Sequence, residues 1–134
     1  ARIETDLAPL SCRALLDLLP YAGPVVHARW SGEALWSPLG ARWRAGSVLQ
    51  SENATSEPRP GQILLYAGSD SEPELLIPYG ETRFACKAGT LRGNPVLTLI
   101  DRLDALARAG RAILQSGAAT LRVELDNTSG DSLR

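Results

Sequence analysis

Residues 23–36 constrain the fold of this chain more than any other stretch of its sequence. Segment 25–30 contains two valines and a tryptophan, segment 33–36 ends in Leu35-Trp36, and Ser31-Gly32 between them favours a tight turn. This pattern predicts a β-hairpin with strands over 25–30 and 33–36. The same stretch holds the single histidine of the chain, His27, and two of its three tryptophans. If the protein binds a ligand or performs chemistry, the sequence places the site here.

The rest of the chain predicts a mainly β fold. Apolar or alternating runs bounded by Gly and Pro predict further strands at 1–7, 62–66, 74–77, 82–87 and 120–125. Residues 37–61 are rich in Gly and Pro and predict a long loop with a short strand near 47–49. Long loops inside compact domains are often functional.

Two helices are predicted. The first covers 12–19, where leucines form an apolar face and Pro20 disfavours continuation. The second is a long helix over 94–116, with Asn94 as its N-cap and Gly117 directly after its end. A helix after the first strand and another before the last frame the predicted sheet.

Composition predicts one soluble domain over residues 1–134. The chain has 44% hydrophobic and 22% charged residues and a net charge of −1, and its length is sufficient for a hydrophobic core. Acids and bases are interspersed, so there is no basic patch for nucleic acid or for a membrane surface. No apolar run approaches the ~20 residues of a membrane span, and no signal-peptide pattern is present. We therefore expect a cytoplasmic protein without nucleic-acid or membrane partners.

The cysteines and the histidine predict no metal site. Cys12 and Cys86 allow a disulfide or two separate thiols, and a cytoplasmic protein favours the thiols. Two cysteines and one histidine do not complete a structural zinc site without carboxylates. Phosphate-loop, nucleophile-elbow and zinc-protease patterns are absent from the sequence. We expect neither a metal nor a cofactor.

Five segments carry a resemblance to a known family. They are residues 23–33, Glu52-Asn53-Ala54-Thr55, residues 60–66, Ile77-Pro78-Tyr79-Gly80 and residues 84–89. Together they resemble a bacterial family of unknown function whose members are described as cyclophilin-like, over nearly the whole chain. The resemblance implies a closed, mostly antiparallel β-barrel capped by helices. It carries no settled activity.

The resemblance disfavours prolyl isomerase activity. Cyclophilins proper use an arginine beside a histidine, a glutamine and a wall of phenylalanines. The nearest match is Val26-His27-Ala28-Arg29, where the arginine is displaced by one residue, and on a strand that shift turns a side chain to the opposite face. The chain has one phenylalanine, Phe84.

His27, Arg29 and Glu33 are the candidate catalytic residues. On the predicted hairpin, His27, Arg29 and Ser31 share one face, and Glu33 follows across the turn. A histidine beside an arginine and a carboxylate is suited to acid–base chemistry or anion binding. The structural alternative is an Arg29–Glu33 ion pair at the surface, with His27 hydrogen-bonded at the barrel rim.

Six further residues are candidates for ligand binding. They are Trp36, Asn53, Thr55, Tyr79, Arg83 and Lys87. Trp36 would form an apolar wall, Lys87 would bind a carboxylate or act as a base, and Asn53 would supply hydrogen bonds. The structural alternatives are core packing for Trp36, hydrogen bonds within the loop for Asn53 and a solvated strand face for Lys87.

These residues favour an uncharacterised cyclophilin-like protein that binds a small polar or anionic metabolite, in a pocket formed by the 25–36 hairpin and the 40–60 loop. The competing hypothesis is a hydrolase or isomerase acting on a small cyclic amide or related carbonyl compound. His27 would be its acid/base, and Arg29 would stabilise developing negative charge. A third hypothesis is a structural or accessory subunit that binds another protein through its barrel and the Trp43 loop. A homo-oligomer is compatible with a small barrel.

Overall fold

The fold is known from a computed structural model that describes residues 1–43 and 50–126. The strand predicted near 47–49 lies outside these residues. The elements follow one another as β1 Arg2–Ile3, α1 Pro9–Leu18, β2 Tyr21–His27, β3 Gly32–Pro38, a 3-10 turn Gly40–Arg42, β4 Gln62–Tyr66, β5 Glu74–Thr82, β6 Ala85–Cys86, β7 Gly89–Thr90, β8 Asn94–Thr98, α2 Leu103–Ser116 and β9 Ala118–Val123. The prediction of a mainly β fold with two helices is confirmed for the part of the chain described.

Seven strands form one antiparallel sheet in the order β1-β8-β4-β5-β3-β2-β9. Strands β6 and β7 form a separate small hairpin. The large sheet curls into a half-barrel, and its edge strands β1 and β9 do not pair with each other within the described ranges. The predicted closed barrel is therefore wrong. Neither helix in this part of the chain is long and apolar enough to cross a membrane.

The two faces of the sheet cover two different apolar clusters. Alternation along β5 sends Leu75 and Ile77 to one face and Leu76 to the other. The first cluster lies under α1 and α2 and also buries Trp43. The second cluster lies on the opposite face and is centred on Phe84. Trp43 is therefore a core residue, which differs from the hypothesis that its loop binds another protein.

The predicted long helix 94–116 is wrong in its first half. Asn94–Thr98 is strand β8, which lies between β1 and β4, and the helix begins at Leu103. Val96 is completely buried there. Pairing on both sides of β8 and burial of its apolar residues therefore outweigh the local signals for a helix start at Asn94 and Pro95.

Several other helix and strand boundaries differ from the predicted ones. Helix α1 covers Pro9–Leu18 instead of 12–19, and β1 retains only Arg2–Ile3 of the predicted strand 1–7. The hairpin strands are Tyr21–His27 and Gly32–Pro38, so residues 28–31 form a longer connection than the predicted two-residue turn. Strand β5 extends through Thr82, and the predicted strand 82–87 is reduced to Ala85–Cys86.

The N-terminus of α1 is capped by a carboxylate from the long loop. The N-cap residue of α1 is Ala8, whose methyl side chain cannot accept hydrogen bonds from the first N–H groups of the helix. Glu52 accepts hydrogen bonds from Leu10 N at 3.0 Å, Ser11 N at 2.8 Å and Ser11 Oγ at 2.6 Å. Asn94 holds this loop by accepting from Glu52 N at 3.0 Å and donating to Ser11 Oγ at 2.8 Å. These contacts give Glu52 and Asn94 structural roles.

We expect Glu52→Ala to lower the free energy of unfolding by about 1–3 kcal/mol at pH 7, because two helix N–H groups lose their acceptor. Burial acts to raise the Glu52 pKa, but the hydrogen bonds from Ser11 and Leu10 outweigh it and lower the pKa. The stabilisation is therefore present above the ordinary glutamate pKa and is lost as the pH falls through the lowered value. Urea unfolding from pH 7 to pH 3 measures this difference. Glu57→Ala, which removes an exposed ion pair with Arg83, is the control and should change little.

Candidate functional site

A cavity of about 1070 Å³ opens beside the second cluster of the sheet. Its floor includes Val26 of β2, Trp36 of β3 and Leu76 of β5. Val26 pairs with Trp36, and Trp36 pairs with Leu76, so the three lie side by side across neighbouring strands. The floor is therefore an apolar row with an indole ring at its centre.

The β6–β7 hairpin forms one wall of this cavity and is fastened by Ser31. The Ser31 hydroxyl donates to Ala85 O and accepts from Ala85 N, both at 3.1 Å. Ser31 O also accepts from Arg83 N at 3.0 Å. These bonds join the 28–31 connection to the hairpin, and Lys87 lies in the turn at the hairpin tip. A further part of the wall comes from the end of α2, with Ile113 and Leu114.

Two cations line the cavity without a protein partner. Arg29 and Lys87 are both exposed. Across residues 1–43 and 50–126, neither side chain forms an ion pair or a hydrogen bond. Both are therefore free to bind a carboxylate or phosphate group of a ligand.

Glu74 is the buried acid of the cavity. It is 7% exposed, and it lines the cavity on the same strand as Leu76. Burial, together with the charge of Glu72, raises its pKa to about 8. No motif in the sequence singles out Glu74. The available signal was its position in the strand, because Glu74 is in phase with Leu76 and so occupies a position suited to an apolar residue.

His27 also lines the cavity, but both of its ring nitrogens are engaged. Nδ1 lies 2.8 Å from Ala28 O, and Nε2 lies 2.7 Å from the Tyr79 hydroxyl. Since a carbonyl oxygen only accepts, Nδ1 of the neutral ring carries the proton and Nε2 accepts from Tyr79. Burial and the charge of Glu33 raise the pKa of Tyr79, which keeps this hydroxyl a donor. Acid–base work by His27 would first require breaking the bond to Tyr79.

The structure brings only part of the predicted site together. Among the predicted residues, His27, Arg29, Trp36 and Lys87 line the cavity, and Tyr79 touches it through His27. Arg29 lies beyond the end of β2 and does not share a strand face with His27 as predicted. Trp30, which follows Arg29 in the same connection, also lines the cavity, and its side chain is 55% exposed.

The remaining predicted residues lie outside the cavity lining. Glu33 accepts from Glu81 N at 2.9 Å and forms no ion pair with Arg29. Asn53 donates to Leu7 O at 2.8 Å, and Thr55 pairs with the backbone of Gly93. Arg83 pairs with Glu57 at 3.4 Å.

The predicted loop wall is also different. The described parts of the 40–60 loop contribute no lining residue, and the β6–β7 hairpin covers the cavity instead. The loop instead contacts the N-terminus of α1, where Glu52 accepts hydrogen bonds from Leu10 N and Ser11 N. Cys12 and Cys86 are free thiols, and Cys86 lines the cavity. Within residues 1–43 and 50–126, no three His, Cys, Asp or Glu side chains are grouped as metal ligands.

Comparison with known proteins identifies the fold and the family. The solved structure of McbB in complex with tryptophan superposes with a TM-score of 0.69 at 22% sequence identity. The match covers 95% of this chain and 40% of McbB, so the two share a fold and this chain spans less than half of McbB. A search among curated proteins finds no match. Residues 1–125 match the family model of DUF3830, described as a protein of unknown function, and the chain belongs to this family.

Proposed function

We propose that this protein binds a small metabolite with an apolar, aromatic body and an anionic group in the cavity between the sheet and the β6–β7 hairpin. The observation that carries the proposal is the cavity itself, with an apolar floor and two cations that have no partner among residues 1–43 and 50–126. Small-molecule sites are concave, mostly apolar and supplied with a few polar groups that orient the ligand. This proposal retains the metabolite class predicted from the sequence and moves one wall from the 40–60 loop to the hairpin.

The floor favours a flat apolar body. Val26, Trp36 and Leu76 form a continuous row, and Trp36 is half-buried, so part of its indole remains accessible from the cavity. An aromatic ligand stacked there would gain both apolar burial and a ring contact worth about 0.5–1.5 kcal/mol.

The cations favour an anionic group at the rim. Arg29 and Lys87 approach the cavity from two different wall elements, the 28–31 connection and the hairpin tip. Arginine binds carboxylates and phosphates through two parallel hydrogen bonds, and lysine adds a mobile point charge. Because both side chains are exposed, pairing them with a ligand requires little desolvation.

The comparison with McbB supports a ligand of this size. A protein with this fold has been solved in complex with tryptophan, which has a flat apolar ring and a carboxylate. Tryptophan is therefore a suitable first probe for this chain. Indole-3-propionate is the second probe, because it keeps the ring and the carboxylate and lacks the amine.

We expect both probes to bind the wild-type protein and Arg29→Ala to weaken binding by about tenfold, the equivalent of one charge-assisted hydrogen bond at a partly exposed site. Titration calorimetry measures the affinities. A thermal-shift series checks them, since saturation at a hundred times Kd stabilises a protein by about 2.7 kcal/mol.

Arg13→Ala is the matched control. Arg13 is an exposed arginine of α1 that does not line the cavity, so its removal changes the net charge equally without touching the site. Equal losses in the two variants would assign the effect to overall charge and contradict the proposal. Failure of the wild-type protein to bind any aromatic acid would contradict it as well.

A further inference from the structure

The carboxyl group of Glu74 has no partner in the described part of the chain. No described residue donates a hydrogen bond to its side chain, and no cation pairs with it. In the described part of the chain, every side-chain nitrogen or oxygen that is fully shielded from solvent has a hydrogen-bond partner. Since the Glu74 oxygens have none, they retain some solvent-accessible surface, which faces the cavity that Glu74 lines. A buried polar group without a partner is costly and unusual in a native structure.

Glu74 and Arg29 belong to different ends of the site. Glu74 pairs across the sheet with Pro38, the last residue of β3, whereas the connection carrying Arg29 precedes Gly32, the first residue of β3. Six residues of extended strand span roughly 20 Å. Arg29 therefore lies away from Glu74, and no cation of residues 1–43 and 50–126 pairs with the Glu74 carboxyl.

The charged groups around Glu74 also favour binding of a positive group there. The titratable and charged groups on the elements around it are Glu72 and Asp70 in the loop before β5, Tyr66 on β4, Cys86 and Lys87 on the β6–β7 hairpin, and His27 and Arg29 at the far rim. Glu72 is the one whose charge acts on Glu74. The Tyr66 hydroxyl is engaged with Ser69 and Asp70 N. A second acid near Glu74 favours a positive ligand group.

We propose that Glu74 binds a basic nitrogen of the ligand, so that the cavity takes small aromatic compounds that carry an amine or a basic ring nitrogen. This inference rests on the proposed function and adds to it a second binding group in the same cavity, which recognises a basic nitrogen instead of an anionic group. Of the groups a metabolite offers, an ammonium supplies both the hydrogen-bond donors and the charge that a buried carboxylate lacks.

Binding of an ammonium group then releases a proton. Burial keeps the free Glu74 carboxyl largely protonated at neutral pH, because its pKa is raised to about 8. When an ammonium binds, the carboxyl becomes a carboxylate paired with the ligand, and its proton passes to the solvent. No other bond forms or breaks, and the ligand keeps its own proton throughout.

Tryptamine is the probe for this inference, since it has the indole and an amine but no acid. We expect its affinity for the wild-type protein to rise at least tenfold between pH 6 and pH 8, because an alkylammonium stays charged over that range while Glu74 ionises. Calorimetry at pH 7 in buffers of different ionisation enthalpy should show the release of most of one proton. Glu74→Gln should bind tryptamine weakly, with a flat pH profile and no proton release.

Two further variants separate recognition from general charge effects. Glu124→Gln removes an exposed acid outside the cavity and should keep the wild-type profile. Burial is the larger cause of the raised Glu74 pKa, and Glu72→Gln removes only the smaller one, the charge of Glu72, so the rise in affinity should move modestly to lower pH. If Glu74→Gln and the wild-type protein bind tryptamine with the same pH dependence, the inference is wrong. Binding of indole-3-propionate by the wild-type protein would then leave the proposed function intact. If the wild-type protein binds neither indole-3-propionate nor tryptamine, the inference and the proposed function are both wrong.

Discussion

Glu74→Gln should stabilise the ligand-free protein, and the gain should grow as the pH rises from about 5 to 8. The folded-state pKa of Glu74 is raised to about 8, while the unfolded chain ionises near the ordinary glutamate value. Between these two pH values the folded state therefore holds a proton that the unfolded state has lost. A carboxyl with a raised pKa gives its full stability below the unfolded pKa, and that stability is lost as the pH rises through the folded pKa.

The expected gain at pH 8 is a few kcal/mol. Each pKa unit corresponds to about 1.4 kcal/mol, and water entering the cavity would reduce the full effect. At pH 5 the gain should be small, because both side chains are then neutral and of similar size in the folded state. Urea unfolding of wild type, Glu74→Gln and Glu124→Gln at pH 5, 6.5 and 8 measures it. A pH-independent difference between Glu74→Gln and wild type would show that Glu74 does not titrate as its burial requires.

Such a result would connect stability with binding at one residue. A group that destabilises the free protein and gains affinity for a ligand is the expected pattern at a binding site, since function often requires an unfavourable local arrangement. Glu74→Gln should therefore change stability and tryptamine binding in opposite directions. A residue with a purely structural role would lose both together.

The predicted 25–36 hairpin was the part of the site that the sequence could predict. Its strands, β2 and β3, lie close to their predicted positions, and its residues His27, Arg29 and Trp36 line one cavity, together with the predicted Lys87 of the β6–β7 hairpin. Local alternation and turn residues carry that information. Glu33 was misplaced because the connection is longer than two residues, which changes every contact across it.

Glu74 was beyond single-sequence reasoning for a different reason. Its alternation with Leu76 shows that both share a face, but an antiparallel strand leaves open which of its faces is covered. Here the cover comes from residues 85–91, which return over the sheet only after β5 has ended. The same non-local dependence made β8 look like the start of a helix, since its burial between β1 and β4 is set by distant segments.

Phe84→Ala should produce the largest loss of stability of the changes considered, about 3–5 kcal/mol, the usual cost of emptying a buried phenylalanine site. Phe84 is completely buried at the centre of the second cluster and meets Tyr66 edge to face at 5.5 Å between ring centroids. Its backbone also closes the base of the β6–β7 hairpin, because Leu91 N donates to Phe84 O at 2.9 Å.

The effect should also reach the cavity, because the hairpin above Phe84 forms its wall and the cluster below it includes Leu76 and Trp36. Urea unfolding gives the loss of stability, and titration with indole-3-propionate gives the accompanying loss of affinity. Phe84→Leu, which keeps most of the apolar volume, should cost less than half as much, and Trp30→Ala, at a largely exposed aromatic residue, should leave stability almost unchanged. Equal stability losses for Phe84→Ala and Trp30→Ala would mean that the second cluster does not hold the hairpin in place.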